Sequence, residues 1–317
     1  MSIDCLSVGV LVADHLCAPI PRVPNAGELL LSDHLLLNIG GCASNAAMDL
    51  ARLGVQVAVA GCVGDDAFGR FVIETLDDRG VDTSSIRRLS DVGTSGTLII
   101  NVTGEDRRFI HTIGANGRLS AADIPLARVR QAKVFYVGGF FLMPNLKSTD
   151  LAELFRQARA AGVITMLDVV VPGPGDYWPQ LEPLLPETDI FLPNNDEAAL
   201  LTGLDDPRRQ AEWFHAAGAR TVVITCGGRG TVLVAEGLRL QAETYPVNYV
   251  GATGAGDAFD AGYIAGLLDG GDPWRCLEWG SSLGASCVRS IGATDSVFNR
   301  DEALAFMREH RLTIEAW

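Results

Sequence analysis

The order of apolar runs and helical patterns along this chain predicts an α/β fold, with a mostly parallel central sheet flanked by helices on both faces. Short apolar runs that are typical of buried strands recur along the sequence, and amphipathic helical patterns separate them. No internal repeat or low-complexity linker divides the chain. With 317 residues, 48% of them hydrophobic, the chain can bury a large core as one domain over 1–317.

The predicted strands and helices alternate in chain order, as βαβ units require. Buried strands are predicted over 5–12, 55–61, 133–137, 163–167, 189–192 and 221–225. Helices are predicted over 43–53, 67–79, 149–161, 197–202, 208–217, 255–268, 273–289 and 301–310.

Two segments, at about 15–37 and 92–116, interrupt this alternation and predict a smaller sheet inserted in the domain. The first segment carries several prolines ahead of an apolar strand, and the second contains two strands joined by a predicted turn at 103–106. An ordinary surface hairpin is the alternative for the second segment.

The charge and cysteine content restrict the partners and the compartment. A formal net charge of −14 at pH 7, with no local run of Lys or Arg, argues against a nucleic-acid or anionic-membrane surface. No stretch approaches the roughly eighteen consecutive apolar residues that a membrane span needs. The seven cysteines are scattered, without a Cys-x-x-Cys pair or a preceding signal peptide, so a reducing cytoplasm is the expected location.

The sequence Gly254-Ala255-Gly256-Asp257, ahead of an apolar helix, is the most informative motif. Small residues at a helix start leave backbone N–H groups accessible, and together with the helix dipole they favour a phosphate or a developing oxyanion. Asp257 is a poor phosphate ligand, but beside such a site it can accept the proton of an attacking hydroxyl. The alternative is that Asp257 only caps the helix.

A second glycine-led helix start, at Gly40 and Gly41, carries Asn45 as its polar side chain. Because an amide both donates and accepts hydrogen bonds, Asn45 suits a neutral polyol better than a phosphate. Between the two motifs, Asn194 and Glu197 form an Asn-x-x-Glu pattern, for which a helix-capping box is the alternative.

These three motifs, in this order, resemble the signatures of the ribokinase-like (PfkB) carbohydrate kinases, and the resemblance spans nearly the whole chain. The N-terminal signature is matched by Gly40, Gly41, Asn45, Gly54 and Gly64, and the C-terminal one by 254–257 with Ala261 and Gly262. The resemblance implies an ATP-dependent phosphotransferase that moves the γ-phosphoryl group to a hydroxyl of a small sugar or sugar-like acceptor, assisted by Mg²⁺.

The resemblance also implies a role for each matching residue. Asp257 would be the base, and the turn of Gly254, Ala255 and Gly256 would bind the transferring phosphoryl group. The implied acceptor ligands are Asp14, Gly40, Gly41, Asn45 and Asn116. The implied nucleotide ligands are Asn194, Thr225, Gly228, Gly230 and Gly284, with Ser281, Ala285 and Val247 near adenine. Glu197 and Asn194 would organise Mg²⁺, through water.

Purely structural roles remain the alternatives for several of these residues. Asp14 and Asn116 also fit turns or caps, and the glycines at 227–230 also fit a hairpin. By resemblance, the inserted sheet is a lid over the sugar site and the contact of a homodimer. On the lid, Arg107 and Arg108 fit either a solvated edge or a contact to an acidic acceptor, and His111 fits ordinary strand packing.

One departure from the family concerns the monovalent cation. Many relatives carry Asp six residues before the base, whereas this chain carries Gly251 followed by Ala252, so we expect little K⁺ activation although Gly292 and Ser296 remain in a family-like loop.

The acceptor itself stays open among a free sugar, a sugar acid and a nucleoside. Apolar residues at 140–143 predict a wall that would favour a nucleoside, or else core packing. A non-catalytic sugar-binding protein and an NAD-dependent enzyme are the other classes, and the second lacks the full Gly-x-Gly-x-x-Gly helix entry.

Overall fold

The computed structural model describes residues 3–105 and 108–317. The strands in chain order are β1 (Cys5–Gly9), β2 (Val12–Cys17), β3 (Leu35–Gly40), β4 (Val57–Gly64), β5 (Asp82–Leu89), β6 (Gly96–Ile100), β7 (Arg108–Thr112), β8 (Val134–Gly138), β9 (Ile164–Leu167), β10 (Ile190–Phe191), β11 (Thr221–Thr225), β12 (Thr231–Ala235), β13 (Leu238–Ala242) and β14 (Ile314–Ala316). The α-helices are α1 (Cys42–Arg52), α2 (Ala67–Asp77), α3 (Leu126–Gln131), α4 (Ser148–Ala160), α5 (Trp178–Leu181), α6 (Asn195–Thr202), α7 (Pro207–Ala216), α8 (Ala255–Leu268), α9 (Pro273–Cys287) and α10 (Arg300–Glu309).

The central sheet has the strand order β14-β13-β12-β11-β10-β9-β8-β1-β4-β5. The strands from β5 through β1 to β11 run parallel, and β12, β13 and β14 are added antiparallel at the far edge. The predicted α/β fold with a mostly parallel sheet is therefore confirmed.

Helices cover both faces of this sheet because its strands are apolar on both sides. On β8, Val134 and Tyr136 face the core under α1, α2, α8, α9 and α10, while Phe135 and Val137 face the core under α3 to α7. The two cores leave the carboxyl ends of the parallel strands as the edge where a site can form.

The predicted small sheet is also confirmed, with the order β3-β2-β6-β7. Its strands arise from both predicted segments, although β2 begins at Val12 and β3 ends at Gly40, outside the predicted bounds. Part of the predicted turn at 103–106, and Arg107, lie outside the described residues.

The single strand predicted over 5–12 is wrong, because the chain leaves the central sheet after Gly9. Gly9 has a φ of 147°, and a Cβ there would lie 2.1 Å from the carbonyl oxygen of Gly138. After this break, β2 continues into the small sheet and carries Asp14. Asp14 therefore belongs to the small sheet and not to the end of a central strand.

Four strands of the central sheet were missed by the sequence pattern. The edge strand β5 consists mostly of polar residues that are exposed or half-buried, so it has no apolar run to detect. The hairpin of β12 and β13 follows the glycine turn at 227–230, and β14 is only three residues long. The predicted helices are all present: α8 has the predicted bounds, and the ends of the others differ by at most two residues.

Candidate active site

The start of α8 forms an open cradle of backbone N–H groups. Gly254, with a φ of 78°, ends the turn before the helix, and a Cβ there would lie 2.5 Å from the carbonyl oxygen of Ala293. Within the described residues, no acceptor faces the N–H groups of Gly256 and Asp257. The N–H of Ala255, expected to be open as well, donates to the carbonyl of Ala252 at 3.2 Å. The cradle therefore has two open donors instead of three.

Asp257 stands on the first turn of α8 and points toward the start of α1. Its Oδ2 accepts a hydrogen bond from Asn45 Nδ2 at 2.8 Å, and the thiol of Cys42 also donates to this carboxylate. Burial raises the pKa of Asp257, and the hydrogen bonds from Asn45 and Cys42 oppose that rise. The carboxyl is thus half-buried and directed toward the start of α1, not into bulk solvent.

Further acidic groups that sequence reasoning missed surround this carboxyl. One ligand atom each of Cys42, Asp168 and Asp257 lies within 4.8 Å of the others. Burial first, and then the charge of Asp260, raises the pKa of Asp168 well above its usual value. The position of Asp168 directly after β9, at the carboxyl end of a parallel strand, is the signal that could have found it.

A deeper pair lies beneath these groups. Tyr136 Oη donates to Asp260 Oδ2 at 2.9 Å, and both side chains are buried. Burial and the charge of Asp257 raise the pKa of Asp260 well above its usual value. The site therefore concentrates carboxyl groups, and a phosphate-bound cation can offset the charge of those that ionise.

The glycines at the start of α1 make room for protein atoms, and their contact with an acceptor stays a prediction. A Cβ on Gly40 would lie 2.0 Å from Asp14 Oδ2, and a Cβ on Gly41, where φ is 92°, would lie 2.4 Å from the carbonyl oxygen of Val10. These glycines let the helix start approach Asp14 and the break after β1. Asn45 follows one turn later and is buried.

The inner face of the small sheet carries a row of polar side chains in cross-strand register. Asp14 pairs with Asn38 on one side and with Thr97 on the other, and Thr97 pairs with His111. Burial raises the pKa of Asp14 to about 6; a hydrogen bond from Thr97 opposes this rise, and the charge of Asp257 adds to it. Sequence reasoning missed Asn38 and Thr97, although Asn38 interrupts an otherwise apolar strand.

Asn116 does not lie on the open side of the site, contrary to expectation. Its Oδ1 accepts from the N–H of Leu11 at 3.1 Å, and its Nδ2 donates to the carbonyl of Leu11 at 3.0 Å. The side chain has no exposed surface, so an acceptor cannot touch it in this arrangement. It holds the chain break between β1 and β2 instead.

A cavity of about 750 Å³ opens on the other side of the α8 start. Its lining includes Gly256 and the residues expected to hold the nucleotide: Asn194, Thr225, Gly228, Gly230, Gly284, Ser281, Ala285 and Val247. Arg229, which the sequence did not single out, also lines this cavity and supplies a cationic side chain near its glycine turn. The volume suits a nucleotide-sized ligand.

Asn194 and Glu197 form the capping box that was the alternative for this pair. Asn194 Oδ1 accepts from the N–H groups of Asp196 and Glu197 at 2.9 Å, and Glu197 Oε2 accepts from the N–H of Asn194 at 3.0 Å. Burial raises the pKa of Glu197 to about 7, hydrogen bonds from Asn194 and Val171 oppose this, and the charge of Asp257 adds to it. The cap therefore also presents an acidic group to the site.

The remaining sequence candidates lie outside the enclosed site. Arg108 is exposed and pairs with Glu105 at the edge of the small sheet, which agrees with a solvated edge. Phe140, Phe141 and Met143 are buried core residues, so they form no open wall for an acceptor base.

Comparison with known proteins agrees with this fold. Residues 7–300 match the model of the pfkB family carbohydrate kinases. The chain is 29% identical over 308 residues to the ribokinase of Haemophilus influenzae, covering 96% of this chain and 97% of that protein. It is 29% identical over 287 residues to the aminoimidazole riboside kinase of Salmonella typhimurium, covering 86% and 89%. Arabidopsis thaliana ribokinase, solved with ribose and ATP, superposes with a TM-score of 0.83 at 25% identity, covering 97% and 99%.

The fold and these relatives define a carbohydrate kinase. The chain belongs to the PfkB family of carbohydrate kinases. Among the described residues, no helix is both long and apolar enough to span a membrane.

Proposed function

We propose that this kinase transfers the γ-phosphoryl group of ATP to a hydroxyl of a small sugar or sugar-like acceptor, with Asp257 as the general base. The observation that supports this proposal most directly is the position of Asp257. It lies between Asn45 on the acceptor side and Gly256, which lines the nucleotide-sized cavity. In the proposed step, the acceptor oxygen attacks the γ-phosphorus, its proton passes to the Asp257 carboxylate, and the bond to the β–γ bridging oxygen breaks to release ADP.

The start of α8 supports charge stabilisation in this step. The open N–H groups of Gly256 and Asp257 can donate to oxygens of the transferring phosphoryl group, aided by the helix dipole. A Cβ added to Gly256 would meet no atom within 4 Å, so the space beside its backbone is free for a phosphate. Gly254 serves the turn, and the N–H of Ala255 closes it.

The cavity supports ATP as the phosphoryl donor. Its glycine turn at 227–230 and the cationic Arg229 suit phosphates, while Ser281, Gly284 and Ala285 offer small surfaces against which adenine can lie. Thr225 and Asn194 complete the proposed contacts.

The donor set fits Mg²⁺ because a hard cation prefers carboxylate oxygens. Glu197 would hold it through water, since one Glu197 oxygen caps α6 and the carboxyl also faces the charge of Asp257. Asn194 is a poorer candidate than expected, because its side-chain oxygen already accepts two N–H groups. When bound with ATP, Mg²⁺ offsets charge on the phosphate oxygens.

The acceptor is expected to be small and polyhydroxylated. Asp14, with Asn38 and Thr97 beside it, offers hydrogen-bonding groups on the inner face of the small sheet, which acts as a lid over the acceptor. A nucleoside acceptor is less favoured, since Phe140, Phe141 and Met143 of the expected wall are buried core; the riboside kinase relative keeps it as the second candidate. A non-catalytic sugar-binding protein would not need the enclosed Asp257.

The outer face of the small sheet supports a homodimer. Leu37, Leu98 and Ile110 stand with His15 in one cross-strand row opposite the polar row, and Ile110 is 62% exposed. An exposed apolar sheet face is typical of a protein contact. Ile110→Asp is expected to give monomers by light scattering, and Leu200→Asp, on α6, is the control; an unchanged mass for Ile110→Asp would contradict the dimer through this face.

A cytoplasmic location also remains a proposal. Cys5, Cys17, Cys42, Cys62, Cys226 and Cys276 carry free thiols, which agrees with a reducing compartment.

Asp257→Asn tests the proposed mechanism. The variant should fold and bind ATP with Mg²⁺, while kcat falls roughly 10²- to 10⁴-fold because the general base is lost. Asp301→Asn, an exposed residue of α10, makes the same chemical change away from the site and should keep wild-type turnover. ADP release is measured over a panel of free sugars, sugar acids and nucleosides. Retained turnover in Asp257→Asn would remove Asp257 from the mechanism.

A further inference from the structure

Two buried polar groups on α1 have no hydrogen-bond partner among the described residues. They are Asn45 Oδ1 and the carboxyl of Asp49, both of whose oxygens are unpaired. Asn45 is 4% exposed and Asp49 is 1% exposed. Since buried polar groups in folded proteins are ordinarily hydrogen-bonded, two unpaired groups on one helix call for a common explanation.

The helix geometry brings these two groups together. Residues four apart share one helix face, with Cβ atoms roughly 5–6 Å apart. Helical side chains also tilt toward the N terminus, so the Asp49 side chain leans toward Asn45. Asn45 Nδ2 donates its hydrogen bond to Asp257, so Oδ1 is the end of the amide that has no partner among the described residues.

Only one protonation state of Asp49 can satisfy this free end. An amide oxygen and an ionised carboxylate both accept hydrogen bonds and repel each other, whereas a carboxylic acid can donate its proton. An ionised Asp49 would instead attract the Asn45 amide nitrogen and turn Oδ1 toward Asp257. The proton on Asp49 thus decides which end of the amide meets the base.

We propose that Asp49 is a positioning residue whose protonated carboxyl donates a hydrogen bond to Asn45 Oδ1, so that Asn45 keeps Nδ2 on the carboxylate of Asp257. The proposal deepens the proposed function and rests on it, because it orients the proposed base. A single hydrogen bond then pairs Asn45 Oδ1 with one of the two unpaired Asp49 oxygens.

The surroundings of Asp49 favour its neutral form. Burial raises the pKa of Asp49 well above its usual value, the charge of Asp257 on α8 raises it further, and Arg52 on α1 opposes the rise. An ionised carboxylate without a partner would be costly at this depth.

Two substitutions separate positioning from packing. Asp49→Ala removes the donor, and kcat is expected to fall about tenfold with little change in KM for ATP, as the loss of a network hydrogen bond predicts. Asp49→Asn restores a donor of the same size and should keep most of the wild-type kcat. A wild-type kcat in Asp49→Ala, or an equal loss in both variants, would overturn the proposal.

A double-mutant cycle shows whether Asp49 acts through Asn45. In an Asn45→Ala background, Asp49→Ala should cause no further loss of kcat, because the amide it positions is gone. An undiminished loss in that background would show a separate structural effect and overturn the proposal. Failure of the proposed function gives a different result: Asp257→Asn would then retain turnover.

The pH dependence of stability tests the buried proton even if Asp49→Ala does not fold. A raised pKa in the folded state means that the contribution of Asp49 is fully present below its unfolded pKa of about 4 and is lost as pH rises. The Tm of Asp49→Asn minus the Tm of the wild type should therefore increase between about pH 5 and pH 8. A Tm difference that does not change over this range would overturn the proposal.

Discussion

The starts of α1 and α8 use the same local device for opposite purposes. Each helix follows a glycine with positive φ, Gly41 at 92° and Gly254 at 78°, and neither has a side-chain cap. At α1, added Cβ atoms would strike Asp14 and Val10, so this start is filled by the protein itself. At α8, the space beside Gly256 is empty and two N–H groups remain open.

This difference shows why a glycine pattern alone does not define a ligand site. A glycine can allow a close approach of protein atoms, as Gly40 does for Asp14, or it can leave room for a ligand, as Gly256 does. The hydrogen bond from Asn45 to Asp257 joins the two helix starts. The start of α1, which protein atoms fill, therefore positions side chains, while the open start of α8 leaves backbone N–H groups available to a ligand.

The largest expected effect at the filled start comes from Asp14→Ala. Loss of a charged hydrogen-bond acceptor costs roughly 1.5–3 kcal/mol, so KM for the acceptor should rise about 10- to 100-fold, with KM for ATP unchanged. Steady-state kinetics measure both constants. Asp33→Ala, an exposed residue of the loop before β3, is the control. Equal rises in both KM values would mean that the two helix starts do not serve separate substrates.

A matched pair of glycine substitutions tests directly whether the start of α1 is filled and the start of α8 is open. Gly40→Ala should destabilise the fold by about 1–3 kcal/mol, because its Cβ would overlap the Asp14 carboxylate. Gly256→Ala should leave stability intact, since nothing lies within 4 Å of the new Cβ, yet it should weaken ATP binding by crowding the phosphate. Denaturant unfolding and nucleotide titration check the two effects. Equal stability of the two variants would contradict the claim that a Cβ fits at Gly256 but not at Gly40.

The fold and the motifs were largely predictable because they depend on local patterns. Strand β11 has the predicted bounds, and the nucleotide candidates meet in one cavity. The membership of Asp14 in the small sheet was not predictable, because the apolar run at 5–12 gives no sign of the break after Gly9. The burial of Asn116 depends on a distant contact that spacing does not reveal, whereas the Asn-x-x-Glu spacing already offered the capping box of Asn194 as an alternative.

A smaller effect is expected from pH. Because the pKa of Asp14 is about 6, its carboxylate gains a proton as pH falls through this value and loses capacity to accept acceptor hydroxyls. The KM for the acceptor should therefore rise below about pH 6, and Asp14→Asn should abolish this dependence. Kinetics over pH 5 to 8 measure it. The same rise in Asp14→Asn would assign the titration to another group.

The smallest effect is expected for monovalent cations. Gly251 offers no carboxylate near α8, and the hydroxyl of Ser296 donates to the carbonyl of Ser286 at 2.7 Å. Turnover should be similar in K⁺ and Na⁺ at equal ionic strength. A large K⁺-stimulated rate would show that the turn before the open start is completed by an ion.

The strand that carries Asp14 has one further consequence. Because β2 lies in the small sheet, any tilt of that sheet relative to the central one carries Asp14 with it. Binding of the acceptor by Asp14 and closure of the small sheet over the site would then be a single movement. A compound that fills only the acceptor pocket should therefore hold the enzyme shut, and slow exchange of the nucleotide as well.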